Sequence, residues 1–211
     1  MKRNFFLNWK DAFFWAQDII LRMKSSELSN KRIRIREAIP NDISSLFSLI
    51  NDSYQVETGN SGVAFKKTLR LIDVNTEMVP LIPRTLVAEF VSDDVTDKDE
   101  VLEELAGSIT WEETDHDDYK AMHFGPFAVS TRHQKMGVGS ALLNALYQLA
   151  QKRDCEFIDL ECVNWRTDII PWYQAMGFKV IGEGPFPAPE RCTRDCHFIL
   201  MRRKVSEIEL Y

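Results

Sequence analysis

The sequence has little of what staples or metallates a small fold. Only four cysteines and four histidines occur in 211 residues. Cys155, Cys162, Cys192 and Cys196 follow no disulfide framework, and a chain of this length can bury a core large enough to do without one. They read as reduced thiols of a cytosol-like compartment. Cys192, Cys196 and His197 make a C-x3-C-H spacing that is no standard zinc pattern, and the histidines at 116, 123, 133 and 197 are scattered, so no metal is expected. No apolar run approaches the roughly 18–20 residues of a membrane helix, and no integral span is expected. A G-x-S-x-G elbow, a G-x-G-x-x-G loop and a G-K-[ST] phosphate loop are all missing. That argues against serine hydrolase, dinucleotide and P-loop chemistry.

Basic residues are in deficit, 26 Lys and Arg against 32 Asp and Glu. Net charge is -6, and residues 92–118 hold twelve acids against Lys98 alone, so that segment carries -11 and the rest +5. Phosphate backbones need a basic patch, so a nucleic-acid partner is not expected. The acidic stretch reads as a solvated hairpin tip, or as a rim that attracts a cationic amine.

What is present is strongly patterned. Trp9, Ala12, Phe13, Ala16, Ile19, Ile20 and Met23 recur at helical spacing, so residues 1–31 read as an amphipathic helical extension. Its basic residues leave two roles open: packing on the domain or a second copy, or targeting and membrane-surface contact. Asp11, Asp18 and Glu27 weigh against a mitochondrial presequence, and a cytoplasmic location is the expectation. Arg32-Ile33-Arg34-Ile35-Arg36 alternates as a strand with one buried face. Pro40-Asn41-Asp42 opens a helix carrying Leu46, Phe47, Leu49, Ile50 and Tyr54, and Gly59-Asn60-Ser61-Gly62 breaks it. A second helical stretch is expected over 63–74. Residues 84–91 and 105–112 read as hairpin strands, with the acidic segment as their tip.

The second half continues with a strand over 121–129 and a helix from 138 to 152. That helix carries Val138, Ala141, Leu142, Ala145, Leu146, Leu149 and Ala150 as one stripe. A strand over 157–163 follows. Then comes a helix capped by Asp168, with Pro171 in its first turn and Gly177 at its end. Strands at 178–182 and 197–203 close the chain. Mixed strands and helices, several strands joined by hairpins, predict an α+β sheet with helices on both faces.

The stretch Arg132-His133-Gln134-Lys135-Met136-Gly137-Val138-Gly139-Ser140 lies between a strand and a helix. Its glycines permit tight turning and close approach to a ligand, and the helix start adds unpaired N–H groups with a positive dipole end. Together these can cradle a diphosphate in main chain. A plain turn with two glycines would explain the loop equally well.

In context the stretch resembles the acyl-CoA loop of the GCN5-related N-acetyltransferase (GNAT) superfamily, [QR]-x-x-G-x-[GA]. Gln134-Lys135-Met136-Gly137-Val138-Gly139 fits every fixed position. Phe127-Ala128-Val129 ends the strand before it. Trp172-Tyr173-Gln174-Ala175-Met176-Gly177-Phe178 is similar to the family's later Y-x-x-x-G-F segment. Asn164 stands near the family's asparagine after the fifth strand, although its distance to Tyr173 is one residue longer than usual.

The resemblance covers roughly residues 32–204, firmly 123–181. It implies a GNAT domain over 32–205 with a tail at 206–211. The fold implied is a mixed, largely antiparallel sheet whose middle strands splay. It also implies acetyl-CoA as co-substrate, held by Phe127, Ala128, Val129, Gln134, Lys135, Met136, Gly137, Val138, Gly139, Ser140, Asn164 and Tyr173, with free main chain around Phe127 and Val129 taking the pantetheine arm. Tyr173 matches the family's general acid, since a phenol stays protonated at neutral pH and can donate. His123, Glu161 and Glu57 are the candidate bases, and a bound water is an alternative relay. The expected function is acetyl transfer to a primary amine, a small molecule ahead of a protein or peptide. A non-catalytic acyl-CoA-binding module is a further alternative. Gly182-Glu183-Gly184-Pro185-Phe186-Pro187 and Tyr54-Gln55-Val56-Glu57 are similar to features of one branch of the family and assign no substrate. A homodimer is an expectation by analogy only.

Overall fold

The alternating arginines and isoleucines near residue 31 form an edge strand of a seven-stranded sheet. In the computed structural model, which describes residues 31–59, 79–92, 104–192 and 195–207, β1 runs Lys31–Glu37. The helix expected in 1–31, the helical stretch at 63–74 and most of the acidic hairpin tip lie outside the described residues. The chain divides into two compact units, Met1–Arg32 with Phe90–Leu102, and Ile33–Glu89 with Glu103–Tyr211. Everything below concerns the second.

After β1 come helix α1 (Ile43–Gly59), entered through a 3-10 turn at Pro40–Asp42, and the strands β2 (Thr85–Ser92), β3 (Gly107–Asp115) and β4 (Lys120–Val129). Helix α2 (Val138–Lys152), β5 (Phe157–Val163), α3 (Ile170–Ala175), β6 (Lys179–Pro185) and β7 (His197–Lys204) complete the order. The sheet reads β1-β2-β3-β4-β5-β7-β6. Its pairings β2–β3, β3–β4, β5–β7 and β6–β7 are antiparallel, and β4–β5 is parallel. The fold is α+β. Among the described residues no helix is long and apolar enough to cross a membrane.

Register assigns the two faces. Val87 pairs with Ser108, and Ser108 with Ala128, so all three point the same way. There they meet Leu46, Leu49 and Ile50 of α1, forming one core layer. Gly107 is one residue out of phase. A Cβ on it would sit 2.8 Å from Val138 Cγ1 and 3.0 Å from Leu142 Cδ1, so α2 packs on the opposite face and only glycine lets it approach this closely. The face α2 buries is Val138, Leu142, Leu143, Leu146, Tyr147 and Ala150. It is rotated from the stripe read in the sequence. Leu143 and Tyr147 fill the core, while Ala141, Ala145 and Leu149 are half-buried along a groove beside Ile35 and Leu86. The larger side chains set the rotation, since each buried Leu contributes roughly 1.5–3 kcal/mol and an alanine far less.

β1 departs from the expected pattern in one respect. Arg32 is exposed, but Arg34 and Arg36 are half-buried and paired. Glu89 of β2 is 3% exposed, and Arg34 Nη2 and Arg36 Nε donate to its carboxylate at 2.8 and 2.9 Å. Arg36 also reaches Asp42 at 2.7 Å, whose carboxylate accepts the Ile39 N–H at 2.8 Å. A buried carboxylate needs such partners. Burial pushes the Glu89 carboxyl up, but the hydrogen bonds from Arg36 and Arg34 outweigh it and hold it below the usual range. Arg36 lowers Asp42 in the same way.

Candidate active site

Three devices open the middle of the sheet. β3 and β4 pair with a register shift: Ile109 faces Phe127 and Trp111 faces Phe124, which leaves an extra residue on β4 around Gly125-Pro126. Such a bulge bends its strand, and proline brings no N–H for a neighbour. β4 and β5 pair only at Ala121↔Phe157, Met122↔Ile158 and His123↔Asp159. Beyond that point the two strands part. The splay leads into a cleft of about 670 Å³ bordered by β4, β5, the start of α2, α3 and the α1 side chains Ser53 and Tyr54.

The glycine loop forms one end of the cleft. Gly137 is the N-cap of α2 at φ 86°, ψ -5°, a left-handed conformation that glycine adopts without penalty, and no side chain caps the helix start. The first helical bond joins the Ala141 N–H to the Gly137 carbonyl at 2.9 Å, which leaves the N–H groups of Val138, Gly139 and Ser140 ahead of it. Gln134, Lys135, Gly137, Val138, Gly139 and Ser140 all line the cleft. A Cβ at Gly139 would stand 3.5 Å from Phe127 Cζ and 3.6 Å from the Trp172 ring, ordinary van der Waals contact, so the helix start faces these two rings. Lys135 takes φ 63° and is exposed. Met136 is half-buried and does not line the cleft.

Phe127, Ala128 and Val129 line the cleft as expected, but their main chain is not all free. The Phe127 N–H donates to Tyr54 Oη at 3.4 Å, and the Val129 carbonyl accepts Ser53 Oγ at 3.2 Å. Two α1 hydroxyls thus satisfy the edge that β5 leaves unpaired. They are long hydrogen bonds, weak enough for a ligand to replace.

Tyr173 lies on α3, 6% exposed, within an aromatic group. Its ring centroid is 5.1 Å from Trp172, 5.9 Å from Phe178 and 6.1 Å from Phe124. Pro171 occupies the first turn, and Gly177 at φ 88° ends the helix. The cap is Ile169 rather than Asp168. Asp168 instead takes a two-pronged ion pair from Arg166 at 3.0 and 3.1 Å, and that guanidinium lowers its carboxyl below the usual range. A guanidinium two residues away competes for the carboxylate oxygens that would otherwise cap.

The candidate bases separate. Glu161 of β5 is exposed and lines the cleft. His123 does not; its Nδ1 stands 3.9 Å from Glu112 at the base of the parallel pairing. Glu57 belongs to the last turn of α1, and its side chain lies outside the described residues. Asn164 does not line the cleft either. Its Oδ1 accepts the His197 N–H at 3.3 Å while its own N–H reaches the His197 carbonyl at 3.0 Å, so it clamps β5 to β7. The four cysteines are free thiols; Cys162 lines the cleft. Sequence reasoning missed Ser53, Tyr54, Cys162, Val163, Arg166, Asp168, Ile169, Trp172, Phe186 and Phe198 as lining residues. For Val163, alternation from Glu161 was the available signal; for Phe186 and Phe198 none was, because strand pairing places them.

Residues 83–178 match the model of the acetyltransferase (GNAT) family. No curated protein sequence matches the chain. Solved structures share its fold. One is the ribosomal-protein-alanine N-acetyltransferase from Brucella melitensis, 18% identical, TM-score 0.59, covering 81% of this chain and 99% of that one. Another is yncA from Salmonella typhimurium with its cofactor acetyl-CoA, 17% identical, TM-score 0.59, covering 84% and 96%. A third is N-acetylglutamate synthase from Neisseria gonorrhoeae, complexed with coenzyme A and N-acetyl-glutamate, 18% identical, TM-score 0.56, covering 82% and 35%. At these identities the likeness is one of fold. The splayed strands and the uncapped glycine-loop helix fall within the stretch that matches, and residues 83–178 form an acetyltransferase (GNAT) family domain.

Proposed function

We propose that the protein transfers an acetyl group from acetyl-CoA to the primary amine of a small molecule by direct attack. The observation that carries this is the helix start at Gly137, uncapped and opening into the cleft between β4 and β5. Acetyl-CoA supplies an activated thioester and a diphosphate tail. The residues fit it: main-chain N–H groups of Val138, Gly139 and Ser140, ahead of the first helical bond, with Lys135 suit a diphosphate. Gln134 borders the same end. The edge of β4 at Phe127 and Val129 offers main-chain partners to an amide-bearing arm once the hydroxyls of Tyr54 and Ser53 give way.

Tyr173 holds a proton at Oη for the leaving sulfur. Glu161 takes a proton from the incoming ammonium, directly or through water, because an amine needs its lone pair to attack. Its place in the cleft favours it over His123. The aromatic group around Tyr173 excludes water and fixes its ring.

Thiol release from acetyl-CoA across a panel of primary amines and peptides tests the reading. Transfer to a small amine is expected. Transfer to peptides alone would move the acceptor to proteins, and binding of acetyl-CoA without transfer to anything would make the chain a non-catalytic module.

A further inference from the structure

The cleft edge of β4 bonds to helix α1 instead of to a strand. From this contact we infer that Ser53 and Tyr54 are positioning residues: their hydroxyls stand on β4 where the amides of the acetyl-CoA arm bind, so acetyl-CoA displaces them and frees the last turns of α1. The inference rests on the acetyltransferase reading and adds to it a coupling between that ligand and α1.

The direction of the main chain comes first. The Ser130 N–H donates to the Ala106 carbonyl at 2.9 Å, so Ser130 turns its main-chain groups toward the β3 side. Ala128, two residues back, does the same. Phe127 and Val129 are out of phase and turn theirs to the other side. That side has no strand, because the β4–β5 pairing stops at His123↔Asp159. There the Tyr54 and Ser53 hydroxyls meet the Phe127 N–H and the Val129 carbonyl, and both residues line the cleft.

The two bonds are of opposite kinds. Tyr54 Oη accepts from Phe127, whereas Ser53 Oγ donates to Val129. An acceptor and a donor are also what an amide offers, so an amide-bearing arm along this edge competes for the same two groups. The competition is uneven. A main-chain N–H is a single donor, so Phe127 bonds either to Tyr54 or to the arm. A carbonyl has two lone pairs, and Val129 can keep Ser53 for part of the time. Tyr54 is therefore the stronger competitor. At 3.4 and 3.2 Å both bonds are longer than the usual 2.9–3.0 Å, so a well-aligned amide displaces them.

Displacement reaches the helix because of how α1 is anchored. Leu46, Leu49 and Ile50 are buried in the core layer, whereas Asn51 to Tyr54 are half-buried or exposed. The Tyr54 ring packs against the margin of that core, so its hydroxyl leaves Phe127 only if the ring or the turn that carries it shifts. Asn51 Nδ2 donates to the Phe47 carbonyl at 2.9 Å, a side-chain bond that competes with the ladder of the helix where its buried half ends. The last turns of α1 are thus the part that yields.

Tyr54→Phe is the test. It keeps the ring and the helix propensity and removes the competing oxygen. The Kd for acetyl-CoA, measured by calorimetry, should fall about threefold, and Ser53→Ala should lower it by less. The Tm of Tyr54→Phe without ligand should drop by roughly 1–3 °C. At a fixed saturating concentration of acetyl-CoA it should match the parent to within about a degree, because the loss in the free protein and the gain in affinity cancel. A hydroxyl with a merely structural role would lower both Tm values. In the parent, acetyl-CoA should speed hydrogen exchange of the amides at 51–59. A Kd that is unchanged or raised in Tyr54→Phe overturns the inference, as does an equal drop in both Tm values, or exchange at 51–59 that slows or stays constant. In those outcomes the parent still binds acetyl-CoA and the acetyltransferase reading survives. Failure of the parent to bind acetyl-CoA would remove the reading itself.

Discussion

Gly177→Ala tests how the cleft is held together. Gly177 ends α3 at φ 88°, where an L-residue costs roughly 1–2 kcal/mol. The added Cβ would also lie 2.9 Å from Arg203 Nε and 3.1 Å from its Cζ. An arginine can usually move, but this one is pinned. Its guanidinium stands 4.8 Å from the centroid of the Tyr147 ring, and Nη1 donates to the Met176 carbonyl. Displacing it forfeits about 1 kcal/mol of cation–π attraction and about 1 kcal/mol of hydrogen bond. The total is about 3–4 kcal/mol. For a chain of this length that lowers Tm by roughly 5–15 °C. Thermal unfolding of the single variants and the double variant separates the two parts. In an Arg203→Ala background Gly177→Ala should cost only the backbone share, about 1–2 kcal/mol. Because α3 carries Trp172 and Tyr173, turnover should fall with stability. An unchanged Tm, or strict additivity of the two substitutions, would refute the packing described for this helix end.

Tyr173→Phe should cut kcat by about 100-fold or more if the hydroxyl donates to the leaving sulfur, with little change in acetyl-CoA affinity; equal turnover would remove Tyr173 from the chemistry. Arg36→Ala should destabilise the protein by about 3 kcal/mol at pH 7, because Asp42 loses its partner and Glu89 keeps only Arg34. Both carboxyls are held below their usual range, so their pairing stabilises the fold above about pH 4 and is lost as pH falls through the lowered values. The gap in Tm between variant and parent should therefore shrink in acid, and a gap independent of pH would contradict the pairing.

Local signals in the sequence located most elements of the described fold. Helix α2 begins at Val138 because the glycine loop and the apolar stripe agree there, and β1 alternates as its residues do. What eluded the sequence depends on contacts distant along the chain. Arg34 and Arg36 look like a solvent face until Glu89 arrives from β2. Asp168 looks like a cap until Arg166 claims it. The glycine-loop end of the cleft was legible, since Gln134 to Ser140 form one contiguous motif. The lining by Glu161, Phe186 and Phe198 was not, because these residues meet only through the pairing of β5, β6 and β7.

The most direct test of the account is the change in Tm on adding acetyl-CoA, measured on the parent and on Gly137→Glu. Ligand at about 100 times its Kd should stabilise the parent by about 2.7 kcal/mol, a rise of roughly 5–10 °C. Gly137→Glu should lose that rise while still unfolding cooperatively, since its carboxylate would stand at the uncapped helix start and repel a diphosphate. No shift in the parent at millimolar acetyl-CoA, or an equal shift in the variant, would contradict the claim that this helix start grips the ligand.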